Sequence, residues 1–379
     1  MKNQSFQLIA TSVFGLEAIV KQECLDLGFE NVRAENGRVY FQGGFRELAL
    51  ANLWLRTAER VLIELASFKA TSFEELFQGI KDIDWPSIIP KEGKMIVNAK
   101  TVSSKLMSVS DIQSIGKRAI IKAMSEHYGL ERFPEDKEAY RIEIAFSKDV
   151  ASVTLDTSGV GLHKRGYRKR QTAAPMKETL AAALVQLSNW EASRPLVDLF
   201  CGSGTILIEA AMIAKNIAPG IQRDFDFVHW QGFDQAVFRQ VKSEAYEEML
   251  DEPLDIIGFD IDPEAVKIAR ENAVNAGVEE IQFVHKDVKD VGLLNNFGVL
   301  ISNPPYGERL GDDESLKVIY QSLKALIEKL TTWSFYIITS DKELEQALNK
   351  RSDQKRKLFN GRIQVDYYQF IGPDPNLLI

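Results

Sequence analysis

The run Val197-Asp198-Leu199-Phe200-Cys201-Gly202-Ser203-Gly204-Thr205 decides the fold. A short apolar strand gives way to two glycines, and a helical pattern begins at Thr205. Glycine permits a tight strand-to-helix turn and lets a ligand approach the backbone closely. Outward from this turn, strands and helices alternate. Helices are expected at 205–215, 264–276 and 314–330, and strands at 196–200, 254–259, 281–285, 298–302, 334–339, 357–358 and 363–370. That alternation predicts an α/β, doubly wound Rossmann-like sheet whose ligands lie beyond the carboxyl ends of its strands.

Two nucleotide-binding readings of the glycines fail. The helix does not complete G-x-G-x-x-G, and the next acid to end a strand, Asp260, lies much farther on than the roughly 20 residues of a nicotinamide dinucleotide site. No Lys-Ser or Lys-Thr follows the glycines, which excludes a P-loop. Asp260, in Gly258-Phe259-Asp260-Ile261-Asp262-Pro263, is placed to accept both hydroxyls of a ribose. Asp262, just before Pro263 and Glu264, suits the role of a helix cap. Asp287, after the third strand, can accept from the exocyclic amine of an adenine. Ser302-Asn303-Pro304-Pro305-Tyr306-Gly307 follows the fourth strand. Its two prolines remove two backbone donors and stiffen the chain, leaving fixed carbonyls. Asn303 can accept from an amine through its side-chain oxygen, the Pro304 carbonyl can accept as well, and Tyr306 can stack on a planar base.

The chain's 379 residues, 45% hydrophobic and 26% charged, suit two or three ordinary domains and exclude the disordered, collagen-like and disulfide-stapled classes. Cys24 and Cys201 are its two cysteines and the four histidines are scattered, so no metal site is expected. The start reads as a strand, not a signal peptide, and no apolar run is long enough to cross a membrane; a cytoplasmic protein is expected. Strand 6–10, helix 16–27, two strands around Asn36-Gly37, helix 45–55 and strand 60–68 form a β-α-β-β-α-β, ferredoxin-like unit over 1–69. A second α+β unit over 70–159 combines helix 73–83, strand 94–99, helix 112–127 and strands 140–146 and 151–155. A net charge of −8 argues against wholesale wrapping of nucleic acid. Yet Lys164, Arg165, Arg168, Lys169 and Arg170 crowd together, with His163 beside them and Tyr167 inside. This run, in a linker and helix over 160–190, is expected to face phosphates.

The order of DLFCGSGT, GFDID, Asp287 and NPPY resembles the amino-methyltransferase branch of the class I S-adenosylmethionine-dependent methyltransferases. Residues 1–159 resemble a ferredoxin-like element followed by a THUMP domain, a module of RNA-modification enzymes. LHKRGYRKRQTAAPMKETLAAALV, APGIQRDFDFVHWQGFD and NPPYGERLG are similar to segments of the bacterial large-subunit rRNA guanine-N2 methyltransferase family. They match its junction, the insertion after its first helix and its catalytic loop. Members of this family are often labelled adenine-specific DNA methylases because NPPY is shared.

The resemblance implies a methyltransferase domain over 191–379 that uses S-adenosylmethionine. Asp198, Cys201, Gly202, Gly204, Asp260 and Asp287 would surround it, with Lys177, Glu178 and Thr179 closing its side. Asn303, Pro304 and Tyr306 would hold the target base, while Lys164, Arg165, Arg168, Lys169 and Arg170 would meet the RNA. The implied partner is 23S rRNA or an assembling large ribosomal subunit. Glu308 and Arg309 match the loop's GER, and bracing the loop or touching RNA are both open to them. One rival reading is an adenine-N6 methyltransferase acting on DNA or RNA, which would use the same Asn303 geometry. The other is an RNA-binding ribosome-assembly factor whose methyltransferase domain is weak or inactive. The THUMP-like unit favours RNA over DNA.

Overall fold

A computed structural model describes residues 5–170, 176–293, 297–305 and 313–374; Tyr306, Glu308 and Arg309 lie outside the described residues. The chain divides into two compact units. The first takes residues 1–12, 20–162 and 224–243, and the second takes 13–19, 163–223 and 244–379.

In the first unit, β1 (Phe6–Thr11), α1 (Glu17–Asp26), β2 (Glu30–Glu35), β3 (Arg38–Gly43), α2 (Phe45–Trp54) and β4 (Arg60–Lys69) follow the expected β-α-β-β-α-β order. Asn36-Gly37 is the two-residue turn between β2 and β3, with Gly37 at a φ of 72°. There follow α3 (Phe73–Lys81), α4 (Trp85–Ile88), β5 (Lys94–Val102), α5 (Val109–Tyr128), β6 (Ala139–Ser147) and β7 (Val150–Asp156). Helix α5 starts where the Ser108 hydroxyl accepts from the Asp111 N–H and stops at left-handed Gly129. Of the apolar stripe that the 3.6-residue period predicts, Ile112, Ile115, Ala119, Ile120 and Met124 are buried and Ala123 is half-buried.

All of these strands join one sheet, in the order β2-β3-β1-β4-β7-β6-β5. Strand β4 is the seam. Its Arg60–Ile63 end pairs with β1, and Leu62 to Lys69 pair antiparallel with Asp156 to Val150 of β7. Residues 224–243 complete this unit although they come from much later in the chain. Trp230 stacks on Tyr140 with centroids 5.3 Å apart and donates its indole N–H to the Ala139 carbonyl. Asp226 accepts from Arg141 at 2.8 Å, and Phe233 meets Phe45 edge to face.

The second unit contains α6 (Glu178–Gln186), β8 (Leu196–Asp198), α7 (Thr205–Ala214), the end of α8 (Gln235–Glu247), β9 (Ile256–Asp260), α9 (Pro263–Ala276) and β10 (Gln282–His285). It continues with β11 (Val299–Ser302), α10 (Asp313–Lys329), β12 (Ser334–Thr339), α11 (Leu344–Leu348), β13 (Gln354–Asn360) and β14 (Ile363–Phe370). The strand order is β10-β9-β8-β11-β12-β14-β13, parallel from β10 to β12 and antiparallel at β14. From β8 the chain winds outward through β9 and β10, then returns to β8's other side at β11. That reversal opens a crevice beyond the carboxyl ends of β8 and β11, the place where doubly wound sheets bind ligands. Leu300, Phe335, Ile337 and Tyr368 of the sheet share one buried core with Leu323 and Ile327 of α10. Among the described residues no helix is long and apolar enough to cross a membrane.

Candidate active site

Four parallel strands each deliver one residue to the crevice, at or within two residues of the strand end: Asp198, Asp260, Asp287 and Asn303. After β8, the chain makes its turn through two left-handed glycines, Gly202 at φ 52° and Gly204 at φ 81°. The two do different things. A Cβ on Gly202 would meet nothing within 4 Å, so its backbone is open to a ligand, whereas one on Gly204 would press on the Phe283 ring at 2.9 Å. Gly204 therefore serves close packing of α7 and stays outside the cavity lining, while Cys201, Gly202, Ser203 and Thr205 line it.

Asp198 is 2% exposed. Its Oδ1 accepts from the Phe200 N–H at 3.0 Å and from the Ser302 hydroxyl at 2.8 Å. The same Ser302 oxygen accepts from the Leu199 N–H at 2.8 Å, so one buried hydroxyl clamps β8 to the end of β11. Burial pushes the Asp198 carboxyl up to about 7 despite those two donors, and the nearby Asp260 adds to the rise. Asp260 accepts from the Gly202 N–H at 2.7 Å through Oδ2 and from the Asp262 N–H at 2.9 Å through Oδ1. Burial raises its carboxyl as well. An ionised carboxylate has about four acceptor sites, so two remain for ribose hydroxyls. Asp262 caps α9 by accepting from the Glu264 N–H at 2.9 Å, the structural role expected of it.

Asp287 accepts from the Lys289 N–H and pairs with the Lys289 ammonium at 3.1 Å. Slight burial opposes ionisation, but these two contacts outweigh it and hold the carboxyl below its usual value. Beyond β11, Asn303 Oδ1 is buried and has no hydrogen-bond donor among the described residues. A buried acceptor without a donor costs free energy unless a ligand supplies one. Asn303 and Pro305 line the cavity; Pro304 is buried behind them.

Asp198, Asp260, Asp287 and Asn303 thus share one cavity of about 470 Å³. That volume lies within the range of roughly 300–1,000 Å³ typical of sites for small organic ligands. Met176, Ile206, Ile261 and Val288 add apolar wall, and Ile261 is exposed directly after the strand-ending acid. Sequence reasoning missed these four and Ser302. An exposed isoleucine following Asp260 was a readable signal; the Ser302 clamp was not, because its two partners are more than a hundred residues away. The donor set suits a nucleoside that carries a positive charge. Acids stand where hydroxyls and cationic groups would lie, apolar walls stand where a ring would lie, and Gly202 leaves room at the backbone.

Two groups of expected residues are placed elsewhere. Lys177 and Glu178 line a second cavity of about 560 Å³ with Lys164, Arg168 and Lys169, and Thr179 is buried in α6. Met176 reaches the first cavity in their stead. The basic run does not form one phosphate-facing surface. Arg165 is 2% exposed and pairs with the fully buried Glu209 at 3.2 Å, where the Tyr167 hydroxyl also donates. Arg168 turns inward to the Met176 carbonyl and the Thr205 hydroxyl, with Glu178 at 3.5 Å. Arg170 lies between Glu264 and Glu271. Lys164, Lys169 and Arg170 are the exposed members of the run. Four nearby carboxylates are the physical reason: Arg165 and Arg168 are drawn to the buried Glu209 and Glu178, and Arg170 pairs at the surface with Glu264 and Glu271.

The same segments match known families. Residues 165–369 match the model described as "RMKL-like, methyltransferase domain", residues 7–62 the "RlmL ferredoxin-like domain" and residues 70–156 the "THUMP domain". "Putative RNA methyltransferase YpsC" of Bacillus subtilis (strain 168) is 48% identical over 371 residues, covering 97% of this chain and 96% of that protein. The solved structure of a "predicted N6-adenine-specific DNA methylase" from Listeria monocytogenes str. 4b F2365 is 44% identical with a TM-score of 0.93, covering 98% of this chain and 97% of that one. SMU.472, solved in complex with SAH, is also 44% identical with a TM-score of 0.93, covering 98% of this chain and 99% of that one.

Proposed function

Because this chain belongs to the RMKL-like methyltransferase family and carries a THUMP domain, we propose that it methylates the exocyclic N2 amine of a guanine in RNA, with large-subunit rRNA as the substrate. The observation that carries this reading is the single cavity onto which Asp198, Asp260, Asp287 and the unpartnered Asn303 Oδ1 converge. S-adenosylmethionine, when bound, supplies a methyl group already activated by a positively charged sulfur. Asp260 would accept from its ribose hydroxyls, and Asp287 with the neighbouring backbone would hold its adenine edge. Asp198 and the open backbone at Gly202 would hold the amino-acid end.

The chain's own work is positioning. A guanine amine is a poor nucleophile because its lone pair is delocalised into the ring. Asn303 Oδ1 accepts one N–H of that amine and the Pro304 carbonyl accepts the other, which aims the lone pair along the line of transfer. The same two oxygens favour the positive charge that develops on nitrogen, and the proton leaves to solvent after transfer. Such orientation accounts for up to about 7–11 kcal/mol of barrier in well-aligned reactions, and dipoles already in place at the developing charge add to it.

RNA is preferred to DNA because residues 70–156 match the THUMP domain and a relative named as an RNA methyltransferase is similar over 97% of this chain. Asn303-Pro304-Pro305 suits an adenine N6 amine equally well, so product analysis decides the base. Tritiated methyl transfer from S-adenosylmethionine to unmodified total RNA and to genomic DNA, followed by nucleoside mass spectrometry, is expected to yield N2-methylguanosine in RNA. N6-methyladenosine would overturn the base assignment, label in DNA would overturn the substrate class, and absence of any product would favour an assembly factor.

A further inference from the structure

The second unit carries another concentration of positive charge, at the β13–β14 edge. Between Lys350 and Arg362 lie six cations and a single carboxylate, Asp353, in a chain whose net charge is −8. Lys350 and Lys355 are engaged with the rings of Phe370 and Tyr368, and Lys355 also with Glu345. Among the described residues, Arg356, Lys357 and Arg362 make no ion pair or side-chain hydrogen bond, although Asp366 stands across from Lys357 in the ladder.

The register puts this charge on the catalytic side of the sheet. Strand β13 runs parallel to β11, because β12 is parallel to β11, β14 antiparallel to β12, and β13 antiparallel to β14. Ser302 is level with Ile337, and Thr339 with Asp366 and Lys357, so Pro304 and Lys357 stand at the same height. Leu358-Phe359-Asn360 and the returning Ile363-Gln364-Val365 then continue past that height as a hairpin. At about 3.3 Å per residue, its tip rises roughly 10 Å above the level of Pro304. Three strand spacings of about 4.8 Å separate β13 from β11, so the hairpin stands roughly 14 Å to one side. Roughly four stacked nucleotides cover that distance at about 3.4 Å each.

Aromatic surface accompanies the charge. Phe14, 60% exposed, lies edge to face against Phe359 with centroids 6.3 Å apart. The loop that presents it is pressed to the hairpin at left-handed Gly15, where a Cβ would come within 3.2 Å of the Lys357 carbonyl. An exposed aromatic held beside unpaired cations is the arrangement that binds single-stranded nucleic acid, by stacking on bases and neutralising phosphates.

We infer that the β13–β14 hairpin, with Phe14, Arg356, Lys357 and Arg362, is a binding platform for the single-stranded RNA that flanks the target nucleotide. The inference rests on the RNA-methyltransferase reading and adds the surface that leads substrate toward Asn303. The competing explanation is that lysines on an edge strand merely prevent edge-to-edge pairing of two copies.

The test uses the full-length protein with unmodified 23S rRNA made by in vitro transcription. In the triple variant Arg356→Gln/Lys357→Gln/Arg362→Gln, KM for RNA should rise at least tenfold. The slope of log affinity against log salt should flatten by about 2, from a loss of about 0.7 per phosphate contact on a single strand. Affinity for S-adenosylmethionine, measured by calorimetry, should be unchanged, which also reports an intact fold. Phe14→Ala alone should raise KM with no change of salt slope, and the charge-retaining Arg356→Lys/Lys357→Arg/Arg362→Lys variant should keep the wild-type slope. If wild type methylates this RNA but the triple variant keeps its KM and slope, the platform is overturned while the enzymatic reading stands. Self-association of the triple variant with unchanged RNA affinity would likewise overturn it in favour of edge protection. If wild type methylates no RNA at all, the enzymatic reading fails and the platform falls with it.

Discussion

Asn303 carries the sharpest expectation at the scale of single residues. Its buried Oδ1 has no donor among the described residues, so a substrate amine is its natural complement. Asn303→Ala should lower the rate of methyl transfer by roughly 100- to 1,000-fold, the cost typical of removing one preorganised polar group at a reacting centre. Affinity for S-adenosylmethionine should survive, and equilibrium binding beside single-turnover rates separates the two. Asp260→Ala should do the reverse at the binding step, weakening the cofactor by about tenfold or more by calorimetry. Asp198 adds a pH dependence. Its carboxyl titrates at about 7 in the fold, against an ordinary value of 3.8. The stability it contributes is therefore full below about pH 4 and is lost as pH rises through 7. Asp198→Asn keeps an acceptor for the Ser302 hydroxyl but cannot ionise. The stability of that variant relative to wild type should grow by an amount on the order of 4 kcal/mol between pH 4 and 8, read from urea unfolding at each pH. An unchanged difference would mean that Asp198 is solvated.

The basic run shows at the scale of elements what sequence proximity can and cannot say. Five cations between Lys164 and Arg170 look like one surface, but they serve three destinations. Arg165 joins Tyr167 on Glu209 of α7, Arg168 ties the approach to α6 to the start of α7, and Arg170 reaches two acids of α9. The segment is a brace between helices, with Lys164 and Lys169 left outside. Glu209→Gln leaves the Arg165 guanidinium buried without its counter-charge and should cost roughly 3–5 kcal/mol, measured by denaturant midpoint. The apolar pair Arg165→Met/Glu209→Leu should recover most of that loss. The strand-end motifs behaved differently. Asp198, Asp260 and Asn303 were legible because each sits at the end of an apolar run, and Asp287 because it follows the next strand by two residues. Glu209 was not legible as a partner, since nothing in an apolar helix says what lies across from its one acid.

At the scale of the whole molecule, the chain interleaves. The ferredoxin-like elements and the THUMP elements share one sheet through β4 and β7, and residues 224–243 return to finish that unit. A fragment ending at residue 162 would therefore lack the segment that covers Tyr140, Phe45 and Arg141. Such a fragment should bind a hydrophobic dye and unfold with low cooperativity, whereas the intact chain should not. In the intact chain, Trp230→Ala should cost about 3–5 kcal/mol of that unit's stability, since a large buried ring and its indole hydrogen bond are both removed.

What the sequence determined by itself is whatever depends on neighbours along the chain. Hydrophobic period set the order of strands and helices, Asn36-Gly37 set a hairpin, and the glycines and strand-end acids set the line of the cavity. These are decided within a few residues by backbone sterics and the alternation of apolar side chains. Only the tertiary structure decided which cations face solvent, that Ser302 clamps Asp198, that β4 serves two halves of one sheet, and that the β13–β14 hairpin rises beside the Asn303 loop. In each case the deciding contact joins residues far apart in sequence. Burial, charge pairing and strand partnership depend on what the fold brings near, and the local pattern holds no record of it.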